Sequence, residues 1–254
     1  MTEGRWLGAV ADDVRLLDRT STAQRVADVL RERITAGDLP PRTRLPEEQL
    51  IEVLRVSRNT LREAFRLLTH EGLLEHELHR GVFVRELGED DLVDLYRLRR
   101  LIECNVVAGL AGLDPGRMER LADDVETASA AAARGDWVAV GTANMRFHAG
   151  LVGLAGSPRT NQVVAHLLAE VRLAFHAAAS PRRLHEPYVE RNRSLLALLV
   201  EGRYDVAARE LDRYLDDSLA ELLAAMREGP SLERPDTGDA ADETDAVAET
   251  VAAP

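Results

Sequence analysis

The chain has 254 residues, 45% of them hydrophobic, which is enough for two modest domains that each bury a core. Aromatic residues are only 4% while Ala and Leu abound, so the bulk is expected to be helical. A net charge of -12 argues against a uniformly basic nucleic-acid binder, and no stretch approaches the roughly 18 apolar residues of a membrane span.

The charge is unevenly spread. All cationic Lys/Arg positions are Arg; residues 21–85 hold 11 Arg against 10 Asp and Glu, net +1, whereas 228–254 hold 8 acids and one Arg, net -7. Non-specific DNA affinity is therefore expected to be weak, because that affinity comes from neutralised phosphates. The single cysteine, Cys104, rules out an intrachain disulfide and fits a small core residue in a reducing, cytoplasmic compartment. Residues 1–11 lack a basic segment followed by an apolar run, so no targeting signal is expected there.

Residues 1–20 read as a polar arm with a short amphipathic turn at Leu16 and Leu17. From 21 to 87 the pattern is helix, helix, helix, hairpin. Val26, Val29, Leu30 and Ile34 recur at helical spacing, and Gly37 stops that helix. Pro46 suits the first position of a second helix, with Glu47 and Glu48 at its positive end and Leu50, Ile51 and Leu54 inward. Ser57 is the expected N-cap of a third helix whose buried stripe is Leu61, Ala64, Phe65 and Leu68, and Gly72 ends it. Residues 73–76 and 82–85 pair across a turn holding His79, Arg80 and Gly81. The result is a winged helix-turn-helix.

An acidic link, Gly88-Glu89-Asp90-Asp91, opens a region, 88–228, in which six helical patterns cover about 90–112, 115–134, 136–155, 158–180, 186–200 and 205–226. Six helices in antiparallel order make a bundle. The tail, 229–254, is acidic, lacks apolar periodicity and reads as disordered. The fold class is thus mainly α, an N-terminal winged helix-turn-helix followed by an antiparallel helical bundle.

The buried stripe of the third helix leaves Arg58, Asn59, Thr60 and Arg62 outward near its N-terminus, where a major groove would meet them. Arg suits a guanine edge or a phosphate, Asn an adenine edge, Thr a phosphate or a thymine methyl, and Ser57 stands within reach of the backbone. The segments Leu45-Pro46-Glu47-Glu48-Gln49-Leu50, Val56-Ser57-Arg58-Asn59-Thr60-Leu61-Arg62-Glu63-Ala64, Glu71-Gly72-Leu73-Leu74 and His79-Arg80-Gly81-Val82-Phe83-Val84 closely resemble the GntR family of regulators. The resemblance implies that Arg58, Asn59, Thr60 and Arg62 contact DNA and that the wing tip, His79 to Gly81, reaches the minor groove. Glu48 departs from it, since some relatives carry Arg there.

In the bundle, Tyr96-Arg97-Leu98-Arg99-Arg100-Leu101-Ile102-Glu103, Arg146-Phe147-His148 and the Glu201-Gly202 bend resemble the FCD-type effector domain of the FadR subfamily, with a helix count similar to its VanR-like branch. Arg99 shares a face with Leu95, Ile102 and Val106 and could grip an acidic effector or pair with a bundle carboxylate. Asn144 and His148 share a face with Val140 and Leu151, Asn192 lies with Leu196 and Leu199, and Tyr214 with Leu211 and Leu222, so the four could converge on one cavity. Arg172 and His176 are weaker candidates that read more naturally as surface residues. The FCD resemblance implies an Asp and three His around a divalent metal, of which only His148 is kept. No cofactor is therefore expected, unless His166, His176 or His185 substitutes as a ligand.

The expected partners are a near-palindromic double-stranded operator, a small carboxylated effector and a second copy of the chain, with no membrane, and repression is the expected sign of regulation. The rival reading is a helical-bundle metalloenzyme with a DNA-targeting domain. Against it, the sequence has no HExxH, no paired Glu-x-x-His, no phosphate loop and no nucleophile-base pattern.

Overall fold

The computed structural model describes residues 21–111, 115–177 and 181–228. The predicted arm at 1–20 and the acidic tail at 229–254 lie outside the described residues. Helix α1 (Thr22–Ala36) is capped by the Ser21 hydroxyl, which accepts from the Gln24 amide, and it buries Ala23, Val26, Ala27, Leu30 and Ile34. Val29, expected on that stripe, is 45% exposed. At 100° per residue it falls about 60° beyond the edge of the arc that the other five share. Gly37 ends the helix at a positive φ of 91.

Strand β1 (Arg44–Leu45) leads into α2 (Glu47–Leu54) and α3 (Arg58–His70). Pro46 occupies the N-cap of α2 rather than its first helical position, and Glu47 and Glu48 sit in the first turn, where the helix dipole favours them. Arg55, in the left-handed region at φ 52, turns the chain sharply between the two helices. Ser57 caps α3 as predicted, and Leu61, Ala64, Phe65 and Leu68 are all buried. Strands β2 (Leu74–Glu77) and β3 (Gly81–Val84) form the wing. The sheet has order β1-β3-β2, all antiparallel, with Leu45 opposite Val82 and Leu74 opposite Val84. The third strand, β1, escapes sequence reading because two residues carry no alternation.

Six bundle helices follow, as predicted: α4 (Glu89–Ala108), α5 (Pro115–Ala133), α6 (Trp137–Gly153), α7 (Pro158–Ala177), α8 (Pro181–Val200) and α9 (Tyr204–Glu228). The acidic link is in fact the first turn of α4. Asp91 accepts from the Gly88 amide at 2.9 Å, and three carboxylates crowd the positive end of the helix. Helix α8 starts earlier than expected because Pro187, which reads as a start signal, lies inside it.

Helix α7 joins the two parts of the chain. Arg85, just past the wing, donates to Glu170 of α7 at 2.9 Å and to Asp91 of α4 at 2.7 Å. Arg172, two residues on and on the other side of α7, donates from Nε to the Thr35 carbonyl at 3.1 Å. That carbonyl belongs to the last turn of α1, where no intrahelical donor remains and the dipole is negative.

Glu170 also explains Gly72. The Leu73 amide bonds back to Leu68 at 2.9 Å, closing α3 with Gly72 at φ 74, and a Cβ there would fall 2.5 Å from the Glu170 carboxyl carbon. Gly135 has a similar φ of 72 but open space around it. Both Gly→Ala changes incur the left-handed backbone cost of about 1–2 kcal/mol. Gly72→Ala should additionally displace Glu170 from Arg85, and in urea denaturation it should lose about 1 kcal/mol more than Gly135→Ala. Equal losses would contradict this packing account.

Candidate functional site

Two regions gather the residues singled out by sequence. At the first, the Ser57 hydroxyl accepts from the Thr60 amide at 3.1 Å and shares a 2.8 Å hydrogen bond with the Thr60 hydroxyl, fixing the N-terminal turn of α3. Arg58 and Asn59 are exposed on that turn, and Arg58 makes no ion pair among the described residues. Arg62 is exposed one turn on, but its Nε lies 3.2 and 3.3 Å from the two carboxylate oxygens of Glu47. An exposed pair of this kind contributes at most about 1 kcal/mol and can be exchanged for a phosphate. At the wing tip, His79 is left-handed at φ 62, Gly81 follows at φ 110, and Arg80 bonds Glu77 and lies 5.3 Å from the Phe83 ring centroid. Leu78, which the sequence reading passed over, is 76% exposed at the same tip.

The second region is the centre of the bundle. Arg99 on α4 is 1% exposed and donates from Nε to Glu103 at 2.9 Å; Glu103 in turn meets His148 Nδ1 of α6 at 2.6 Å, and both are fully buried. Asn144, one turn before His148, accepts at its Oδ1 from Asn192 Nδ2 of α8 at 2.6 Å and from the Tyr214 hydroxyl of α9 at 2.9 Å. The Tyr214 ring packs edge-on against His148 at 5.1 Å, closing the ring of contacts. Asn144, His148, Asn192 and Tyr214 therefore do converge, as their helical faces predicted, with Arg99 joined through Glu103. Glu103 is the residue that sequence reading missed. Its signal was the Arg99-x-x-x-Glu103 spacing, which stacks the two side chains on one face of α4.

Burial would push the Glu103 carboxyl up, but the Arg99 guanidinium and the His148 ring outweigh it and hold it well below the usual carboxylate range. Burial lowers His148, so its neutral form prevails, with Nδ1–H donating to Glu103 and Nε2 left as an acceptor. Burial also raises the Tyr214 phenol, which keeps its proton. Three buried atoms of the cluster have no hydrogen-bond partner: Arg99 Nη2, His148 Nε2 and Asn192 Oδ1. They amount to one cationic donor and two acceptors at the centre of a bundle, where polar groups are almost always satisfied.

A divalent transition metal does not fit this donor set. Two neutral amides, a protonated phenol and one imidazole are weak company for zinc or nickel, and the one carboxylate, Glu103, is already engaged by Arg99 and His148. Among the described residues no three His, Cys, Asp or Glu side chains gather closely enough to hold a metal. Of the suggested substitutes, His166 is half-buried on α7, His185 is buried against Phe175, and the His176 side chain lies outside the described residues. The expectation that Arg172 is a surface residue is wrong. It is 3% exposed, because Gly141 of α6 lets it approach.

The family model described as "Bacterial regulatory proteins, gntR family" matches residues 22–84, and the FCD domain matches residues 94–217. A "Probable D-xylose utilization operon transcriptional repressor" from Paenarthrobacter nicotinovorans is 30% identical over 204 residues, 78% of this chain and 88% of that protein. Among solved structures, a GntR transcriptional regulator from Rhodococcus sp. RHA1 is similar with TM-score 0.76 and 38% identity, covering 80% of this chain and 98% of that one. McbR/YncC from E. coli, at 24% identity, shares the fold with TM-score 0.71 over 81% of this chain and 99% of its own.

Removing one partner from a buried ion pair leaves the other charge stranded, typically at about 3–5 kcal/mol, whereas replacing both by apolar residues is close to neutral. Glu103→Gln should therefore lower the unfolding free energy by about 3–5 kcal/mol, and the double change Arg99→Met with Glu103→Leu should recover most of it. Chemical denaturation of the three proteins tests this; a double variant no better than Glu103→Gln would show that Arg99 is not the stranded charge.

Proposed function

Because this chain belongs to the GntR family of bacterial regulatory proteins and carries an FCD effector domain, we propose that it is a repressor whose operator is read by α3 and the wing and whose bundle centre receives a small hydroxylated carboxylate. Relatives bearing this architecture are transcriptional regulators, and no such grouping supports a metalloenzyme.

The observation that carries the ligand reading is the trio of unpartnered atoms. Arg99 Nη2 asks for an anionic acceptor, while His148 Nε2 and Asn192 Oδ1 each ask for a donor. A carboxylate with two hydroxyl groups answers all three, and the neutral amides and phenol around them add hydrogen bonds without adding negative charge. The name of the similar probable D-xylose utilization operon repressor supports a sugar-related ligand, and Arg99 Nη2 favours its acid form over the neutral sugar. Thermal stabilisation by gluconate and glycerate, set beside D-xylose, tests the class: the acids should raise the melting temperature and the neutral sugar should not. Stabilisation by the sugar alone would overturn the role given to Arg99.

At the DNA, Ser57, Asn59 and Thr60 are assigned to the edge and backbone contacts of the first turn, Arg58 and Arg62 to guanine or phosphate, and His79, Arg80 and Gly81 to the minor groove. Two copies reading a near-palindrome would supply the specificity that one helix lacks. Losing a base-contacting Arg costs on the order of 1–3 kcal/mol. Arg58→Ala and Arg62→Ala, measured by fluorescence anisotropy on an operator mapped upstream of the gene, should each weaken binding by about 5- to 150-fold. Arg62→Ala should show the smaller loss, because its ion pair with Glu47 must be broken before it can reach DNA. Unchanged affinity in both folded variants would remove α3 as the reading helix.

A further inference from the structure

An opening lies on another face of α6 from Asn144 and His148, at the joint between the two parts of the chain. It is a cleft of about 410 Å³ walled by Glu32, Thr35 and Ala36 of α1, by Val138, Thr142, Met145, Arg146 and Ala149 of α6, and by Ala165, Leu168, Ala169 and Arg172 of α7. The volume falls in the range of small-molecule sites, and the walls are mainly aliphatic.

Arg172 gives it a chemistry. The side chain is 3% exposed, yet no carboxylate pairs with it among the described residues. Its hydrogen bonds go to neutral oxygens only: Nε to the Thr35 carbonyl at 3.1 Å, and Nη2 to the Val138 carbonyl at 2.9 Å and the Thr142 hydroxyl at 3.3 Å. Nη1 is packed against Gly141 of α6, beside the His185 ring, which leaves Nη2 and Nε as the arms nearest the cleft wall at Val138, Thr142 and Thr35. Burial lowers this guanidinium to about 10, with no neighbouring anion to offset it. Buried charges are normally paired, so a cation held in this way is an unfinished ion pair. Of the other charged walls, Arg146 is held outward by Asp124 at 3.0 Å, and Glu32 is exposed at the rim.

We propose that this cleft is a second ligand site, taking an amphipathic monocarboxylate whose acid group pairs with Arg172 and whose apolar body lies against Met145, Leu168 and Ala169. Glu32 at the rim disfavours a second acid group, which selects a monocarboxylate over a dicarboxylate. Because one wall is α1 and the others are α6 and α7, the ligand binds only while the two parts are docked as described. It therefore stabilises that placement, and by linkage it shifts operator affinity. This last step rests on the regulator reading above; the binding itself does not.

The probe is 4-phenylbutyrate, with 4-phenyl-1-butanol as its uncharged counterpart, titrated calorimetrically into the full chain. One equivalent of the acid should bind and the alcohol should bind at least tenfold more weakly. Arg172→Gln should lose the acid at least tenfold. Since that change removes bonds at the joint, Ala149→Phe provides an independent test, filling the cleft from an exposed position without touching Arg172, and it should lose the acid as well. Asn192→Leu, in the bundle centre, should bind the acid as the parent does. Absence of binding, equal binding of acid and alcohol, retention in Ala149→Phe, or loss confined to Asn192→Leu would each overturn the site. Anisotropy on the mapped operator should show at least a threefold change in affinity with the acid bound. Acid binding without such a change overturns the coupling alone, and failure to find any operator overturns the regulator reading while the calorimetry stands.

Discussion

The bundle is organised around one electrostatic constraint: a guanidinium, a carboxylate and an imidazole have been taken out of water together. Arg99, Glu103 and His148 are each no more than 1% exposed, and none would be tolerable there alone. Glu103 makes the arrangement possible because each of its oxygens meets a different partner, Arg99 on its own helix and His148 on α6. The pair that results draws α4 against α6. Asn144, one turn earlier on α6, then accepts from α8 and α9 at once, so four helices are registered through two side chains. Such networks fix geometry more than they add stability, since the same volume filled with apolar residues would be about as stable.

That constraint also shapes what the bundle can recognise. A donor set of three His and an Asp would be neutralised by a metal. Here the positive charge is carried by the chain itself through Arg99, and half of it is already spent on Glu103. The remaining Nη2, like His148 Nε2 and Asn192 Oδ1, is buried without a hydrogen-bond partner, so the cluster leaves one donor and two acceptors open. For the ligand proposed above, answering one donor and two acceptors is a stricter demand than charge alone.

Helix α7 carries the consequence outward. Its Glu170 meets Arg85 and fills the space left by Gly72, and its Arg172 caps the end of α1. These contacts reach the N-terminal part at the last turn of α1, at the turn after α3 and at Arg85 just past β3, rather than at the wing tip or the N-terminal turn of α3. None of these contacts involves the residues proposed to meet DNA. These polar contacts sit beside a hydrophobic core that runs from the N-terminal part through Leu87 and Leu92 into the bundle.

Sequence alone determined the elements and the faces. Periodicity and caps are local, so Ser57, Gly37, Gly72 and the stripe of α3 could be read from neighbours a few residues away, and the six bundle helices followed from the same rule. The convergence of Asn144, His148, Asn192 and Tyr214 was legible too, because a polar residue on an apolar stripe has only the bundle axis to face. What the tertiary structure decided was pairing across long stretches of chain. Strand β1 exists only because β3 lies beside it. Arg172 looked like a surface residue until Gly141, 31 positions earlier, opened a space for it. Glu103 could not be chosen over its neighbouring acids until His148 was seen opposite. Each of these depends on which side chain arrives from another helix, and that is set by packing, which no local pattern encodes.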